Sequence, residues 1–87
     1  DVRKETEYKA EHLANAENAS LDYINDSMQM VDKDKTYYVH CAGGYRSMIF
    51  ISILKARGYH KLIDIKGGFK AMKDSGQFTL TDQVPVE

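Results

Sequence analysis

A strand, a glycine turn and an apolar helix follow one another without interruption between Thr36 and Arg57, and this run constrains the fold most. Thr36-Tyr37-Tyr38-Val39-His40-Cys41 is rich in β-branched and aromatic residues, the composition of a central strand covered on both faces. Ala42-Gly43-Gly44-Tyr45-Arg46 is a glycine-bearing turn, and Ser47 is placed to cap the following helix. Met48 to Arg57 is apolar almost all round, which predicts a buried helix, and Gly58 is placed to end it in a left-handed conformation. Lys61 to Ile65 reads as a second strand, Lys66-Gly67-Gly68 as a turn, and Phe69 to Ser75 as a helix stopped by Gly76.

The flanks are weaker. Thr6 to Leu13 reads as a short helix, with Tyr8, His12 and Leu13 at helical spacing. Asn15 to Ser20 is a loop or a very short strand. Ser20 is a good N-cap, and Leu21, Ile24, Met28 and Val31 recur at helical intervals, so Leu21 to Met30 reads as an amphipathic helix. Gln77 to Glu87 reads as an irregular tail. Strand and helix patterns alternate, which predicts an α/β domain: a parallel central sheet flanked by helices on both faces.

The bulk numbers set limits. With 87 residues the chain suits one domain. An apolar fraction of 43% is enough for one core, and 29% charged residues argue against disorder. Twelve Lys and Arg stand against 13 Asp and Glu, a net charge of -1. No basic excess offers a nucleic-acid surface, so no nucleic-acid partner is expected. The longest apolar run, Met48 to Leu54, is too short for a bilayer, so no membrane partner is expected either. With a single Cys no internal disulfide can form, which fits a reducing compartment, and a cytoplasmic location is expected. His12 and His60 form no metal-ligand spacing, so no metal site is expected.

The chemistry concentrates in Cys41 to Ser47. Sites in open α/β sheets form beyond the carboxyl ends of strands, where Cys41 sits. Gly43 and Gly44 let the backbone curl so that amides point inward, and the next helix aims its positive end at the same point. Arg46 adds a fixed charge. All of these favour an anion, so the Cys41 thiol should ionise more easily than a free one and keep a persulfide anion equally well. A lone Cys at a strand end is more often a small hydrophobe of the core. Here the two glycines, the Arg and the Ser follow in order, which favours the chemical reading. His40 points to the opposite strand face from Cys41 and is expected to be structural. Tyr37, Tyr38, Tyr59 and Phe69 are expected in the core or at its edge. Tyr45 is expected at the mouth of the site, where it would help choose the substrate. Lys66, Lys70 and Lys73 fit a solvated helix face more simply than a subsite for an anionic donor.

Cys41-Ala42-Gly43-Gly44-Tyr45-Arg46-Ser47 after a strand resembles the active-site loop of the rhodanese-like family. Asp1-Val2-Arg3, Glu7-Tyr8 and His12-Leu13 resemble landmarks that precede that loop, and Lys66-Gly67-Gly68-Phe69-Lys70-Ala71-Met72-Lys73 with Gly76 resembles the segment that follows it. Pro85-Val86-Glu87 is similar to the usual end of the domain. The resemblance implies a parallel α/β sheet and a sulfurtransferase that works by double displacement, without metal or organic cofactor. It implies Cys41 as nucleophile and persulfide carrier, with Ala42, Gly43, Gly44, Tyr45 and Ser47 lending backbone amides to the cradle. It implies Arg46 as a brace of the loop, and Asp1 and Arg3 as supports from a neighbouring strand end. The implied partners are a sulfane-sulfur donor, such as thiosulfate or a low-molecular-weight persulfide, and a thiophilic acceptor.

Glu11 replaces a glycine of the family pattern, and Met72 stands where the family often has Trp. The family also carries a further strand, and most of another, ahead of Asp1. Residues 1–87 are therefore expected to be one rhodanese-like domain cut from a longer chain, with a fused or partner domain upstream. Two rivals share the scaffold. Phosphatases with a related loop place one more residue between Cys and Arg than the four found here, and a non-catalytic binding module would need no reactive thiol.

Overall fold

The computed structural model describes residues 1–83. Helix α1 (Glu5–Ala10) starts after an extended Lys4. The Lys4 N–H donates to the Glu7 carboxylate at 3.2 Å, the reach-back half of a capping box. The helix is shorter than its apolar spacing predicts. Glu11 is extended at φ -167°, and its carbonyl accepts from Arg3 Nη2 at 2.7 Å. His12 and Leu13 then form strand β1 (His12–Leu13) instead of a further helical turn. They pair antiparallel with β4 (Leu80–Thr81), so the tail expected to be irregular supplies a strand. Pairing between these distant segments of the chain decided both, and no local propensity announces it. Asn15 to Ser20 is a loop.

The predicted helix over Leu21 to Met30 is broken into a 3₁₀ turn (Leu21–Tyr23), α2 (Ile24–Ser27) and a second 3₁₀ turn (Met28–Met30). Tyr23 leaves the helical region at φ -122°, ψ 50°, and the Ser27 hydroxyl takes the Ser20 carbonyl at 2.7 Å, an outlet that competes with helix continuity. The apolar spacing nevertheless holds: Leu21, Ile24, Met28 and Val31 all pack against the core.

Strand β2 (Tyr37–Val39) leads to α3 (Tyr45–Ala56), and β3 (Leu62–Asp64) leads to α4 (Gly68–Ser75). β2 and β3 pair in parallel, with Tyr37 opposite Leu62 and Val39 opposite Asp64. Two expectations fail here. Tyr38 is 67% exposed, so β2 is not covered on both faces along its length. α3 buries one stripe, Ser47, Phe50 and Leu54, while Met48 and Ile49 lie exposed. The core gathers Val2, Val39, Cys41, Phe50 and Leu54. Gly58 and Gly76 follow α3 and α4 with positive φ, as expected. Residues 84–87, including Pro85-Val86-Glu87, lie outside the described residues. Among the described residues no helix is long and apolar enough to cross a membrane.

Candidate active site

Cys41 follows β2 directly, and three elements decide where its sulfur sits. The helix after the loop starts earlier than expected: α3 begins at Tyr45, so Ser47 is its third residue and not its cap. Gly44 takes the capping position at φ +109°, a conformation that disfavours any residue with a Cβ. The result is a tight bend around Sγ. The Gly44 N–H donates to Sγ at 3.1 Å, and the N–H groups of Arg46 and Ser47, next along the chain, favour the thiolate as well. These are the free N–H groups of a helix start.

The carbonyls of the same loop turn the other way, onto the start of α4. The Cys41 carbonyl accepts from the Phe69 N–H at 2.7 Å and the Ala42 carbonyl from the Lys70 N–H at 3.1 Å. Such close approach needs Gly68. A Cβ there would lie 2.5 Å from the Cys41 carbonyl oxygen and 2.8 Å from that of Ala42. Two helix starts thus divide the loop: α3 supplies donors to the sulfur, and α4 binds the carbonyls that would otherwise repel an anion.

Cys41 is 1% exposed. Burial alone pushes its thiol pKa up; the Ser47 hydroxyl and the N–H groups of Ser47, Gly44 and Arg46 push it down, and the downward effects win. Cys41 is thus both a core residue, as the bland reading holds, and a thiol made acidic by its loop. Its Sγ lies 3.6 Å from Ser47 Oγ, and Ser47 Oγ lies 2.6 Å from Asp64 Oδ1 at the end of β3.

Arg46 is not aimed at the sulfur as a free charge. Its guanidinium binds the Glu7 carboxylate of α1 at 2.6 and 3.0 Å, and that bond holds the Glu7 pKa down at about 2. Asp1 and Arg3 pair at 2.8 Å. The Arg3 guanidinium lies over the Phe69 ring at 4.1 Å, which ties the N-terminal segment to α4. Gly43 and Tyr45 of the same loop are exposed, Tyr45 at 78%. His40 is buried and its ring lies near Phe69, 6.5 Å between centroids. Its Nε2 stands 3.3 Å from Asp1 Oδ2, off hydrogen-bonding geometry. Burial, with neighbouring positive charge that includes Arg3, lowers its pKa to about 3, so it is neutral at pH 7.

The structure therefore brings Cys41, Gly44, the Arg46 amide and Ser47 to one point, with Ala42 anchored behind them and Asp1 and Arg3 supporting α4 from the far side. Sequence reasoning passed over three residues here. Glu7 stood in plain view within a landmark. Gly68 signalled a turn, though not a close approach. Asp64 carried no local signal, because only the parallel register of β2 and β3 sets it beside the loop.

Comparison with known proteins gives the family and the fold. The Rhodanese-like domain family matches residues 1–75. Thiosulfate sulfurtransferase GlpE of Coxiella burnetii is 32% identical over 73 residues, covering 84% of this chain and 68% of that protein. A tRNA sulfurtransferase of Thermoplasma acidophilum is 34% identical over 91 residues, covering 100% of this chain and 18% of that protein. Among solved structures, a rhodanese-related protein from Thermoplasma volcanium superposes with a TM-score of 0.84 at 26% identity, covering 95% of this chain and 81% of the other. A rhodanese-like domain protein from Staphylococcus aureus gives 0.75 at 34% identity, covering 82% and 69%.

Proposed function

The chain belongs to the rhodanese-like domain family, and from that we propose that it is a sulfurtransferase that carries sulfane sulfur as a persulfide on Cys41. The observation that carries the reading is the Gly44 N–H donating to Sγ at 3.1 Å from the start of α3, where the Arg46 and Ser47 amides also favour the thiolate. Such a set of amides stabilises an anion at that point in both resting and loaded states.

The proposed reaction is a double displacement. The Cys41 thiolate attacks the outer sulfur of thiosulfate; a new S–S bond forms, the old one breaks, and sulfite departs with the electron pair. The loop then holds Cys–S–S⁻. A thiophilic acceptor (cyanide, a thiolate or a persulfide-accepting protein) attacks the outer sulfur, and Cys41 leaves as thiolate. No net redox reagent is consumed, and the loop amides serve the negative charge at every stage. In this reading Arg46 acts by holding the loop through Glu7, and Tyr45 stands at the mouth where donor and acceptor enter.

Mass spectrometry after incubation with thiosulfate, and separately with glutathione persulfide, tests the proposal. A mass gain of one sulfur atom that is reversed by cyanide and absent in Cys41→Ser is expected. No gain with any donor overturns the proposal in favour of a binding module. Turnover of p-nitrophenyl phosphate in place of sulfur loading would assign the loop to phosphate chemistry.

A further inference from the structure

Ser47 is fully buried and its single hydroxyl proton has three claimants. Asp64 Oδ1 lies 2.6 Å from Oγ, the Gly44 carbonyl 3.3 Å, and the sulfur of Cys41 3.6 Å. A hydroxyl donates once and accepts twice. When it donates to Asp64, it can only accept an S–H from Cys41; it cannot also donate to a sulfur anion. When the carboxylate is absent, the same proton can turn to the sulfur. Hydrogen bonds to a charged acceptor are the stronger kind, so this competition is consequential.

We propose that Asp64 is a positioning residue for the sulfur: its carboxylate competes with Cys41 for the Ser47 proton, and so decides whether that hydroxyl donates to the sulfur or only accepts from it. Asp64 forms no ion pair among the described residues, so no Lys or Arg relieves it of this role. The other charged groups that face Cys41 are Arg46 of α3 and Arg3 of the N-terminal segment. Both are already bound by carboxylates, Glu7 and Asp1. Neither of them is paired with Asp64. Asp64 is therefore the variable member of the surroundings, and it restrains the thiol: with the carboxylate 2.6 Å from Ser47 Oγ, the hydroxyl lends the sulfur, 3.6 Å away, only part of the stabilisation it could give. This would suit a carrier whose unloaded thiol should resist stray electrophiles. The inference rests on Cys41 being the working nucleophile, but its test reads the thiol and not sulfur transfer.

The experiment is a double-mutant cycle read by the pH profile of Cys41 alkylation with iodoacetamide. Asp64→Ala alone is expected to move the profile to lower pH and to raise the rate below the wild-type midpoint by about tenfold. In a Ser47→Ala background the same substitution is expected to move it little, because the hydroxyl through which it acts is gone. An equal shift in both backgrounds would mean that Asp64 acts by through-space charge, and would overturn the proposal. No shift, or a shift to higher pH, would overturn it as well. Should Asp64→Ala fold poorly, the isosteric Asp64→Asn carries the same comparison, with a smaller shift of the same sign. Loading with thiosulfate is measured in parallel. Coupling without loading would defeat the proposed function and leave this inference standing, and loading without coupling would do the reverse.

Discussion

The guanidinium of Arg46, two residues into the helix that follows the sulfur loop, grips the carboxylate of Glu7, 39 residues earlier, at 2.6 and 3.0 Å. Planar fork meets planar fork, so the bond fixes orientation as well as distance. Glu7 also accepts from the Lys4 N–H at 3.2 Å. One carboxylate thus starts α1 and holds the first turn of α3.

Glu7→Gln is expected to cost about 1 kcal/mol of stability at pH 7, modest because the pair is partly solvated. The sign with pH is fixed. The Glu7 pKa lies at about 2 in the folded chain, below its ordinary 4.5. Its stabilisation is present above the ordinary value and is lost as pH falls from there through about 2. Urea titrations at pH 7 and pH 2 check this: the gap between wild type and variant should close at the lower pH. Arg46→Lys should keep charge yet slow sulfur loading, since Lys cannot reproduce the fork.

His40 should set an earlier acid limb. It is buried neutral with a pKa lowered to about 3 from 6.5. The unfolded chain takes up this proton near pH 6.5 and the folded one does not, so stability falls as pH drops from about 6.5 toward 3. Unfolding free energies at intervals across that range should slope downward well above the carboxylate region. His40→Gln should flatten that slope, and an unchanged slope would show that His40 is not its source.

Gly68 and Gly76 form a natural pair of controls. Both have positive φ, +62° and +69°. A Cβ at Gly76 meets nothing within 4 Å, whereas one at Gly68 would strike the Cys41 carbonyl at 2.5 Å. Gly76→Ala should cost about 1 kcal/mol for backbone conformation alone. Gly68→Ala should cost at least about 2 kcal/mol more, through displaced backbone. It should also raise the midpoint of Cys41 alkylation, because the loop can no longer hold its amides in place. Equal losses in the two variants would remove the close approach as the cause.

The thiol itself offers a fourth check. Its pKa is lowered in the fold against the opposing effect of burial. Alkylation of the native chain should therefore titrate at lower pH than alkylation of the same chain in urea, where the amide ring is gone. The single cysteine makes the comparison unambiguous. A native midpoint at or above the unfolded one would remove the physical basis for an anion at this position.

Tyr45 is 78% exposed at the first position of α3. Tyr45→Ala should change stability by no more than about 0.5 kcal/mol, yet shift the ratio of loading rates between thiosulfate and glutathione persulfide. An unchanged ratio would end its role at the mouth.

What the sequence determined by itself was local and sequential. The alternation of strand and helix, the glycine bend after Cys41, the apolar spacing of Leu21, Ile24, Met28 and Val31, and the acidic tendency of the thiol all follow from neighbours along the chain, where periodicity and turn chemistry act. The tertiary structure decided whatever depended on partners far away in sequence. It ended α1 at Ala10 by giving the Glu11 carbonyl to Arg3, and it made strands of His12–Leu13 and Leu80–Thr81 by pairing them. It gave Arg46, expected to brace the loop and lend it charge, its partner in Glu7, and it laid Asp64 against Ser47 through the register of β2 and β3. The reason is physical: backbone propensities act over a few residues, whereas a buried hydrogen bond or ion pair takes whichever partner the packing presents.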